Sequence, residues 1–226
     1  MSRVVVVTGG KRGIGAAISA RFAAAGDTVH ALSSTDCDVT DEARVAEVLD
    51  GLEVDVLVNN AGVSDSAPVE RTTLEQWRAQ LDVNATGAFL CTRAVLGGMA
   101  ERGHGRIVTV ASVAGHRGSR YTGAYTASKH AAIGFMRAVA AEVAGSDVTA
   151  NAVCPAYVRS DMTDRTIAGI EARTGRDGEA ALAEMAPLGR LVEPEEVAFA
   201  VAFLAAPEAG AINGQTLILD GGGVQL

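Results

Sequence analysis

Short apolar runs alternate with segments of helical periodicity along the whole chain. Short runs flanked by turn residues predict strands, and longer segments with a period of roughly 3.6 residues predict helices. The clearest apolar runs predict strands at Val4–Val7, Thr28–Leu32, Val54–Val58, Arg106–Val110, Val148–Val153 and Thr216–Leu219. Continuous apolar strands separated by helices are typical of parallel sheets covered on both faces, so we expect a doubly wound α/β fold.

Helical periodicity fills most of the connections between these runs. It predicts helices from Ile14 to a stop at Gly26, over Leu74–Gly98 with a break near Asn84, over Tyr125–Ala144, and over Glu193–Ala205. Residues 157–192 depart from the alternation because they are polar, charged and contain glycine. We interpret this segment, named the flap, as a flexible helical cover over a substrate site.

The composition narrows the class of protein. A chain of 226 residues suits a single domain, and no linker or repeat divides residues 1–226. The net charge of −8 argues against non-specific binding to nucleic acid or to an anionic membrane, and no apolar run approaches the ~18 residues of a membrane span. Neither a signal-peptide pattern nor a metal-ligand spacing is present, so we expect a cytoplasmic protein without a metal.

A glycine-rich turn after the first strand is a candidate phosphate site. Thr8-Gly9-Gly10-Lys11-Arg12-Gly13-Ile14-Gly15 follows a strand and opens a helix. Glycines at such a turn let the backbone approach a pyrophosphate, which then lies at the helix N-terminus. The turn therefore predicts a dinucleotide site that uses Gly9, Lys11, Arg12, Gly13, Ile14 and Gly15.

The end of the second strand bears on which dinucleotide is bound. An acidic residue there would bind a ribose 2′-OH, whereas Ser33 and Ser34 occupy the position here. Lys11 and Arg12 could pair with a 2′-phosphate, which favours NADP(H) over NAD(H). Asp36 keeps NAD(H) open, because the short loop that carries it could bring its carboxylate towards the ribose.

Tyr125 and Lys129 form a candidate acid/base pair. Their spacing of four residues puts both side chains on one helix face. A phenol with a pKa near 10 is a poor proton donor at neutral pH, and a neighbouring ammonium lowers that pKa. With the Ser112 hydroxyl nearby, the pair is suited to carbonyl chemistry.

Taken together, these residues resemble the short-chain dehydrogenase/reductase family, in its compact single-domain branch, along essentially the whole chain. The resemblance implies a Rossmann fold with a parallel sheet of about seven strands, and it implies catalytic roles for Asn84, Ser112, Tyr125 and Lys129. The remaining family positions that it implies as cofactor contacts, besides Tyr125 and Lys129, are Asp38, Val39, Asn60, Ala61, Gly62, Pro155, Val158 and Ser160.

Two departures from the family pattern stand out. Only a short loop joins Ser33 to Asp38, so the usual helix after the second strand is missing. Ala156 replaces a usual glycine after Pro155, which implies a negative φ at this residue.

The resemblance also implies a mechanism. Hydride passes between the nicotinamide and a carbonyl carbon, Tyr125 donates the proton, and Lys129 lowers the pKa of Tyr125 and holds the ribose. Ser112 hydrogen-bonds the carbonyl oxygen, and Asn84 positions a water in the proton relay.

The substrate is less defined by sequence. Segments around residues 98–106 and 128–130 resemble 3-oxoacyl-thioester and polyketide ketoreductases, so the expected substrate is a small-molecule ketone, free or bound to CoA or a carrier protein. An NAD-dependent hydroxyacyl-CoA or alcohol dehydrogenase that works oxidatively, and a non-catalytic NADP sensor, stay open as alternatives. The resemblance further implies a homotetramer in which helices Leu74–Gly98 and Tyr125–Ala144 form one interface.

Overall fold

Six parallel strands form one sheet at the centre of the computed structural model, which describes residues 2–225. They are β1 (Val4–Thr8), β2 (Thr28–Leu32), β3 (Val56–Asn59), β4 (His104–Val110), β5 (Asp147–Pro155) and β6 (Thr216–Leu219). Their spatial order is β2-β1-β3-β4-β5-β6, so the chain winds away from β1 in both directions. The switch between β1 and β3 opens a crevice at the carboxyl edge of the sheet, where open α/β sheets bind ligands.

Helices cover both faces of this sheet, which confirms the doubly wound α/β fold. They are α1 (Gly13–Ala24), α2 (Glu42–Leu49), α3 (Leu74–Leu81), α4 (Gly87–Arg102), α5 (Gly123–Glu142), α6 (Asp161–Thr174), α7 (Gly178–Glu184) and α8 (Pro194–Leu204). The alternating valines of β1 show how the two layers form. Val6 faces the core under α2, α4 and α5, whereas Val5 and Val7 face the core under α1 and α8.

The resemblance implied about seven strands, and the described residues contain six. Residues 33–41, between β2 and α2, run through consecutive turns and are too short to cross to the sheet edge and return. The shortened connection therefore accounts for the lower strand count, and α2 is the one helix between β2 and β3.

Helix α2 was not predicted from the sequence. It is eight residues long, and its inward face contributes the buried Val45 and Leu49. The Asp41 side chain caps its first turn by accepting a hydrogen bond from the Arg44 backbone N–H at 3.0 Å.

The predicted long helix with a break near Asn84 is two helices joined by a wider turn. Helix α3 ends at Leu81, residues Asp82–Thr86 form a π-helical turn, and α4 follows directly. Such turns are rare and often mark functional positions. This one contains Asn84, which is buried.

The flap consists mainly of α6 and α7. Backbone hydrogen bonds join its first residues to its last, and these residues form its base. The Arg159 N–H donates to the Val192 carbonyl, and the Val192 N–H donates to the Tyr157 carbonyl, both at 2.9 Å. Shortly before the C-terminal end of the flap, Leu188 lies against Gly221, where an added Cβ would come within 2.5 Å of the leucine. Among the helices of residues 2–225, none combines the length and the apolar character that a membrane span requires.

Candidate active site

The predicted site residues follow four neighbouring strands at the carboxyl edge of the sheet. Gly9 follows β1, Asn60 follows β3, Ser112 follows β4 and Pro155 ends β5. Parallel strands end at the same edge, so one crevice receives all four segments.

The glycine turn between β1 and α1 is shaped for close backbone approach. Gly9 and Gly13 adopt φ values of +63° and +49°, which favour glycine. At Gly15 a Cβ would lie 2.1 Å from the Gly9 carbonyl oxygen, so no side chain fits there.

The N-terminus of α1 has free hydrogen-bonding capacity. Arg12 occupies the N-cap in an extended conformation with no side-chain cap, and the first turn contains no acidic residue. By contrast, α2, α3, α6 and α7 each have a capping side chain. The uncapped N–H groups and the positive end of the helix dipole fit a bound pyrophosphate.

The turn after β3 is held against this glycine turn. The Thr8 hydroxyl accepts hydrogen bonds from the backbone N–H groups of Asn60 and Ala61, each at 3.0 Å. The Asn60 side chain returns a bond to the Thr8 carbonyl at 2.9 Å. Gly62 follows, and a Cβ there would lie 3.2 Å from Asn84 Oδ1 and 3.6 Å from Lys129 Nζ. The cofactor turn and two predicted catalytic side chains therefore share one wall.

Tyr125 and Lys129 lie on the first two turns of α5 and face the crevice together. The Lys129 ammonium is 5.8 Å from the centre of the Tyr125 ring and donates to the Val110 carbonyl at 3.0 Å. Ser112 accepts from the Ala114 N–H at 3.1 Å and reaches the Pro155 carbonyl at 3.5 Å.

Burial controls the acid/base properties of this cluster. It raises the pKa of Tyr125, and the neighbouring Ser112 hydroxyl partly offsets that shift. Burial lowers the pKa of Lys129 to about 8, so the amine remains mostly charged at neutral pH. The prediction that the pKa of Tyr125 lies below its ordinary value is wrong for this structure, because burial has the largest effect on that pKa.

Asn84 is fixed by three hydrogen bonds. Its Oδ1 accepts from the Val63 N–H at 2.8 Å, and its Nδ2 donates to the Val63 carbonyl and to Ser128 Oγ, both at 2.9 Å. Ser128 is fully buried on α5 and donates in turn to the Tyr125 carbonyl. The π-helical turn, α5 and the loop after β3 are thereby joined at one amide.

The segment after β5 closes the crevice. Val158 is buried, and the Ser160 hydroxyl donates to its carbonyl at 3.2 Å while capping α6. Ser160 also faces the glycine turn, because a Cβ at Gly13 would lie 3.7 Å from its own Cβ. Ala156 keeps a negative φ, as expected for a residue that replaces glycine.

The end of the crevice where the sequence predicts the adenosine ribose is organised around Asp36. Its carboxylate pairs with Lys11 Nζ at 2.8 Å and accepts from the Ser33 N–H at 2.7 Å and from the Ser33 hydroxyl. Hydrogen bonding to Lys11 holds the pKa of Asp36 well below its usual range. Ser34 and Arg12 are exposed beside this cluster.

The Asp38-Val39 pair is also placed by local contacts. The Asp38 carboxylate accepts from the Thr40 N–H and hydroxyl at 2.9 and 2.8 Å. Val39 packs on Gly87 at the start of α4, where a Cβ would come within 2.6 Å of the valine. Within residues 2–225, no group of three or more His, Cys, Asp or Glu side chains is arranged to hold a metal ion.

Comparison with known proteins identifies the family. Residues 29–223 match the family model described as enoyl-(acyl carrier protein) reductase. Acetoacetyl-CoA reductase of Shinella zoogloeoides is 37% identical, with 98% of each chain covered. The chain belongs to the short-chain dehydrogenase/reductase family. It is therefore an oxidoreductase of a family that uses NAD(P)(H).

Two further members of the short-chain dehydrogenase/reductase family extend the comparison. A 3-oxoacyl-[acyl-carrier-protein] reductase of Synechocystis is 38% identical over 98% of this chain and 96% of its own. The crystal structure of a variant of actinorhodin polyketide ketoreductase with NADPH superposes with a TM-score of 0.89 at 32% identity, covering 98% of this chain and 97% of that one. The family assignment made from the sequence motifs is confirmed.

Sequence reasoning missed two residues that build this short-chain dehydrogenase/reductase site. Thr8 receives two backbone donors of the turn after β3, and Ser128 receives the amide of Asn84. The spacing of three residues between Tyr125 and Ser128 was a signal, because it places both on neighbouring positions of one helix face.

Proposed function

We propose that this protein is an NADPH-dependent ketoreductase that acts on a 3-oxoacyl thioester or a cyclic polyketide ketone. The observation that carries the proposal is the convergence of Tyr125, Ser112, Lys129 and Asn84 beside the glycine turn. The names of the relatives support this substrate class, because they describe reductases of acetoacetyl-CoA, of 3-oxoacyl-[acyl-carrier-protein] and of polyketides.

Each catalytic side chain has a distinct role in this proposal. When bound, the nicotinamide supplies the hydride. Tyr125 donates its phenolic proton to the carbonyl oxygen, and Ser112 donates a hydrogen bond to the same oxygen, which stabilises the negative charge that develops there. A phenol with a raised pKa is fully protonated at neutral pH, which suits a proton donor in ketone reduction.

Lys129 and Asn84 support Tyr125. The Lys129 ammonium stabilises the phenolate left after proton donation and binds the nicotinamide ribose. Asn84 holds the loop after β3 against α5 and positions a water that reprotonates Tyr125. The pyrophosphate and the adjacent ribose would be held by Gly9, Gly13, Ile14, Gly15, Asn60, Ala61 and Gly62. The adenine would contact Asp38 and Val39, and the carboxamide would contact Pro155, Val158 and Ser160.

The preference for NADP(H) rests on charge at the ribose end. Arg12 is exposed at the N-cap of α1, and serines follow β2 in place of an acid. Both features suit a 2′-phosphate. One observation favours NAD(H) as the second candidate, because Asp36 hydrogen-bonds the Ser33 N–H and neutralises Lys11.

Two alternative functions, an oxidative dehydrogenase and a non-catalytic sensor, can be distinguished from a ketone reductase by experiment. An oxidative hydroxyacyl-CoA or alcohol dehydrogenase would use the same side chains in the reverse direction, with NAD⁺. A non-catalytic NADP sensor would bind cofactor without turnover, and the complete catalytic cluster argues against it.

The deciding experiment follows absorbance at 340 nm with a panel of acetoacetyl-CoA, longer 3-oxoacyl thioesters and cyclic ketones, each with NADPH and NADH. We expect thioester reduction with a higher kcat/KM for NADPH. Turnover only of alcohols with NAD⁺ would favour the oxidative dehydrogenase. Tight NADPH binding without turnover of any panel member would favour the sensor.

We also propose that the protein assembles as a homotetramer. Helix α5 presents small exposed residues on its outer face, at Ala131, Gly134 and Ala138, and Trp77 on α3 and Phe89 on α4 are also exposed. A tetramer of dihedral symmetry needs a second interface, and α8 exposes Phe199. A sedimentation velocity measurement that gives a monomer would exclude this assembly.

The remaining expectations also stay proposals. We propose a cytoplasmic location, in keeping with the free and buried thiols of Cys37, Cys91 and Cys154. We propose one domain spanning residues 1–226, with a flap whose helices move while its hydrogen-bonded base stays in place.

A further inference from the structure

The Asp36 carboxylate touches the glycine turn of the predicted cofactor site. It pairs with Lys11 Nζ at 2.8 Å, and Lys11 directly precedes Arg12, the N-cap of α1. It also accepts a hydrogen bond from the Ser33 N–H at 2.7 Å. A carboxylate in this place repels a 2′-phosphate and occupies the lysine that could bind one. The position of Asp36 therefore bears directly on the choice between NADPH and NADH.

The loop that carries Asp36 has little regular structure of its own. Residues 33–41 run through consecutive turns, and Cys37 and Val39 are buried against the core. Packing thus anchors the residues after Asp36, whereas the ion pair of Asp36 with Lys11 is a surface contact. An ion pair of this kind fixes a single position only weakly.

Arg44 on α2 holds the main chain of Asp36. Its Nε and one terminal nitrogen donate to the Asp36 carbonyl at 3.0 and 2.8 Å, and within residues 2–225 these are the two hydrogen bonds to that oxygen. The other terminal nitrogen of Arg44 pairs with Glu47 at 2.7 Å. A planar guanidinium that donates from two neighbouring nitrogens fixes direction as well as distance, which a lysine cannot do.

Helix α2 gives the Arg44 side chain a fixed origin. The Arg44 backbone N–H donates to the capping carboxylate of Asp41 at 3.0 Å, and Val45 and Leu49 of the same helix are buried. Arg44 therefore connects a capped helix that packs on the core to the surface loop that carries Asp36. Asp36 is held at both ends, by Arg44 at its carbonyl and by Lys11 and Ser33 at its carboxylate.

We infer that Arg44 is a positioning residue that shifts the cofactor preference towards NADH by holding Asp36 against Lys11. The inference deepens the proposed function and rests on its placement of the adenosine ribose at this end of the crevice. Arg44 acts through the main chain of Asp36 rather than through a contact with the cofactor. When the guanidinium is lost, Asp36 moves more freely, and the released Lys11 ammonium pairs with the 2′-phosphate of NADPH. Arg44 and Asp36 together thus limit the preference for NADPH.

The test measures cofactor binding directly and needs no ketone. The Kd values of NADPH and NADH are measured by titration, following the fluorescence of the reduced nicotinamide, and the cofactor ratio is the Kd of NADH divided by the Kd of NADPH. Arg44→Lys keeps the positive charge and removes the planar donor pair. Arg44→Met combined with Glu47→Gln removes every hydrogen bond of the guanidinium and leaves the net charge unchanged. Both variants therefore separate loss of geometry from loss of charge.

We expect both variants to raise the cofactor ratio about two- to threefold, since the contact released is a surface ion pair. In an Asp36→Asn background neither should raise the ratio further, because the carboxylate that Arg44 positions is gone. Such non-additivity is the signature of two residues that act through one contact. Arg93→Lys is the matched control, because Arg93 pairs with Glu42 on the same helix α2, and its cofactor ratio should equal that of the wild type.

The outcomes separate this inference from the ketoreductase proposal. A residue that served only to stabilise the loop would lower the Tm of both variants and leave the cofactor ratio unchanged, which would overturn the inference. A further rise in the Asp36→Asn background would also overturn it, since Arg44 would then act without the carboxylate. Wild-type protein that binds both cofactors and reduces no ketone would overturn the ketoreductase proposal alone. Wild-type protein that binds neither cofactor would overturn both.

Discussion

The proposed catalytic centre and the proposed ribose end of the same crevice are built in different ways. Asn84, Ser112 and Lys129 are buried and arise from helices or strand ends that pack on the sheet. Asp36 and Lys11 lie in loops, and their ion pair is substantially exposed. Packing on the core fixes the side chains of the catalytic centre. The length of the surface loop after β2 fixes the position of Asp36.

This difference explains why the relative positions of residues on α5 could be predicted from the sequence and the arrangement around Asp36 could not. Helix periodicity places Tyr125, Ser128 and Lys129 relative to one another whatever the surrounding loops do. The ribose end has no such constraint, so the shortened turn after β2 rearranges it. A mutation in the first region should therefore affect the chemical step, and one in the second should redistribute preference between cofactors.

The largest effect is expected for Tyr125→Phe. The substitution removes the proton donor and leaves the ring packing in place, so kcat with the best ketone should fall by about 10²- to 10⁴-fold. NADPH binding, followed by fluorescence titration, and the Tm should stay close to wild type. Near wild-type turnover would show that another group donates the proton.

A smaller effect is expected at the support of the catalytic centre. Ser128→Ala removes the hydroxyl that receives the Asn84 amide, which leaves a buried donor unsatisfied. We expect kcat to fall about tenfold and Tm by about 2–4 °C, with KM for NADPH unchanged.

Ser146→Ala is the matched control for this substitution. Its hydroxyl also bonds a backbone carbonyl, that of Val143, but at the opposite edge of the sheet. It should lose stability without a specific loss of kcat. Equal kcat for the two variants would remove Ser128 from the positioning role.

The smallest effect is expected at the ribose end. Asp36→Asn frees Lys11 to pair with a 2′-phosphate, so kcat/KM for NADPH should rise up to about fivefold relative to NADH, as suits a surface ion pair. The ratio of initial rates with the two cofactors measures this. Glu47→Gln is the control, because it removes a nearby surface carboxylate that pairs with Arg44 instead. A lower ratio in Asp36→Asn would mean that Asp36 acts on the ribose in some other way.

Much of the fold and of the candidate site could be predicted from sequence. The apolar runs gave strands close to their observed bounds, and the break near Asn84 is a real interruption of the helix. The order of the motifs along the chain was enough to place the glycine turn, Ser112 and Tyr125 at one edge of the sheet, because parallel strands end together.

The remaining features depend on contacts that a linear pattern does not contain. Helix α2 is short and was overlooked, although Asp41 supplied a capping signal. The raised pKa of Tyr125 follows from burial, which depends on how the crevice closes around the phenol. Tyr121, after β4, has a φ of +68°, and its carbonyl accepts a hydrogen bond from the Ala67 N–H in the loop after β3, a contact that the sequence does not indicate.

The π-helical turn at Asp82–Thr86 sets the rotational phase between α3 and α4. Each residue of an α-helix advances the direction of its side chains by about 100°, so removing one residue here would rotate α3 relative to α4 by that amount. Gln80, buried on α3, and Leu90, buried on α4, would then no longer face the interior together. The same five residues therefore carry the Asn84 amide and align two helices. We expect insertions and deletions to be far rarer in Asp82–Thr86 than in the turns of residues 33–41.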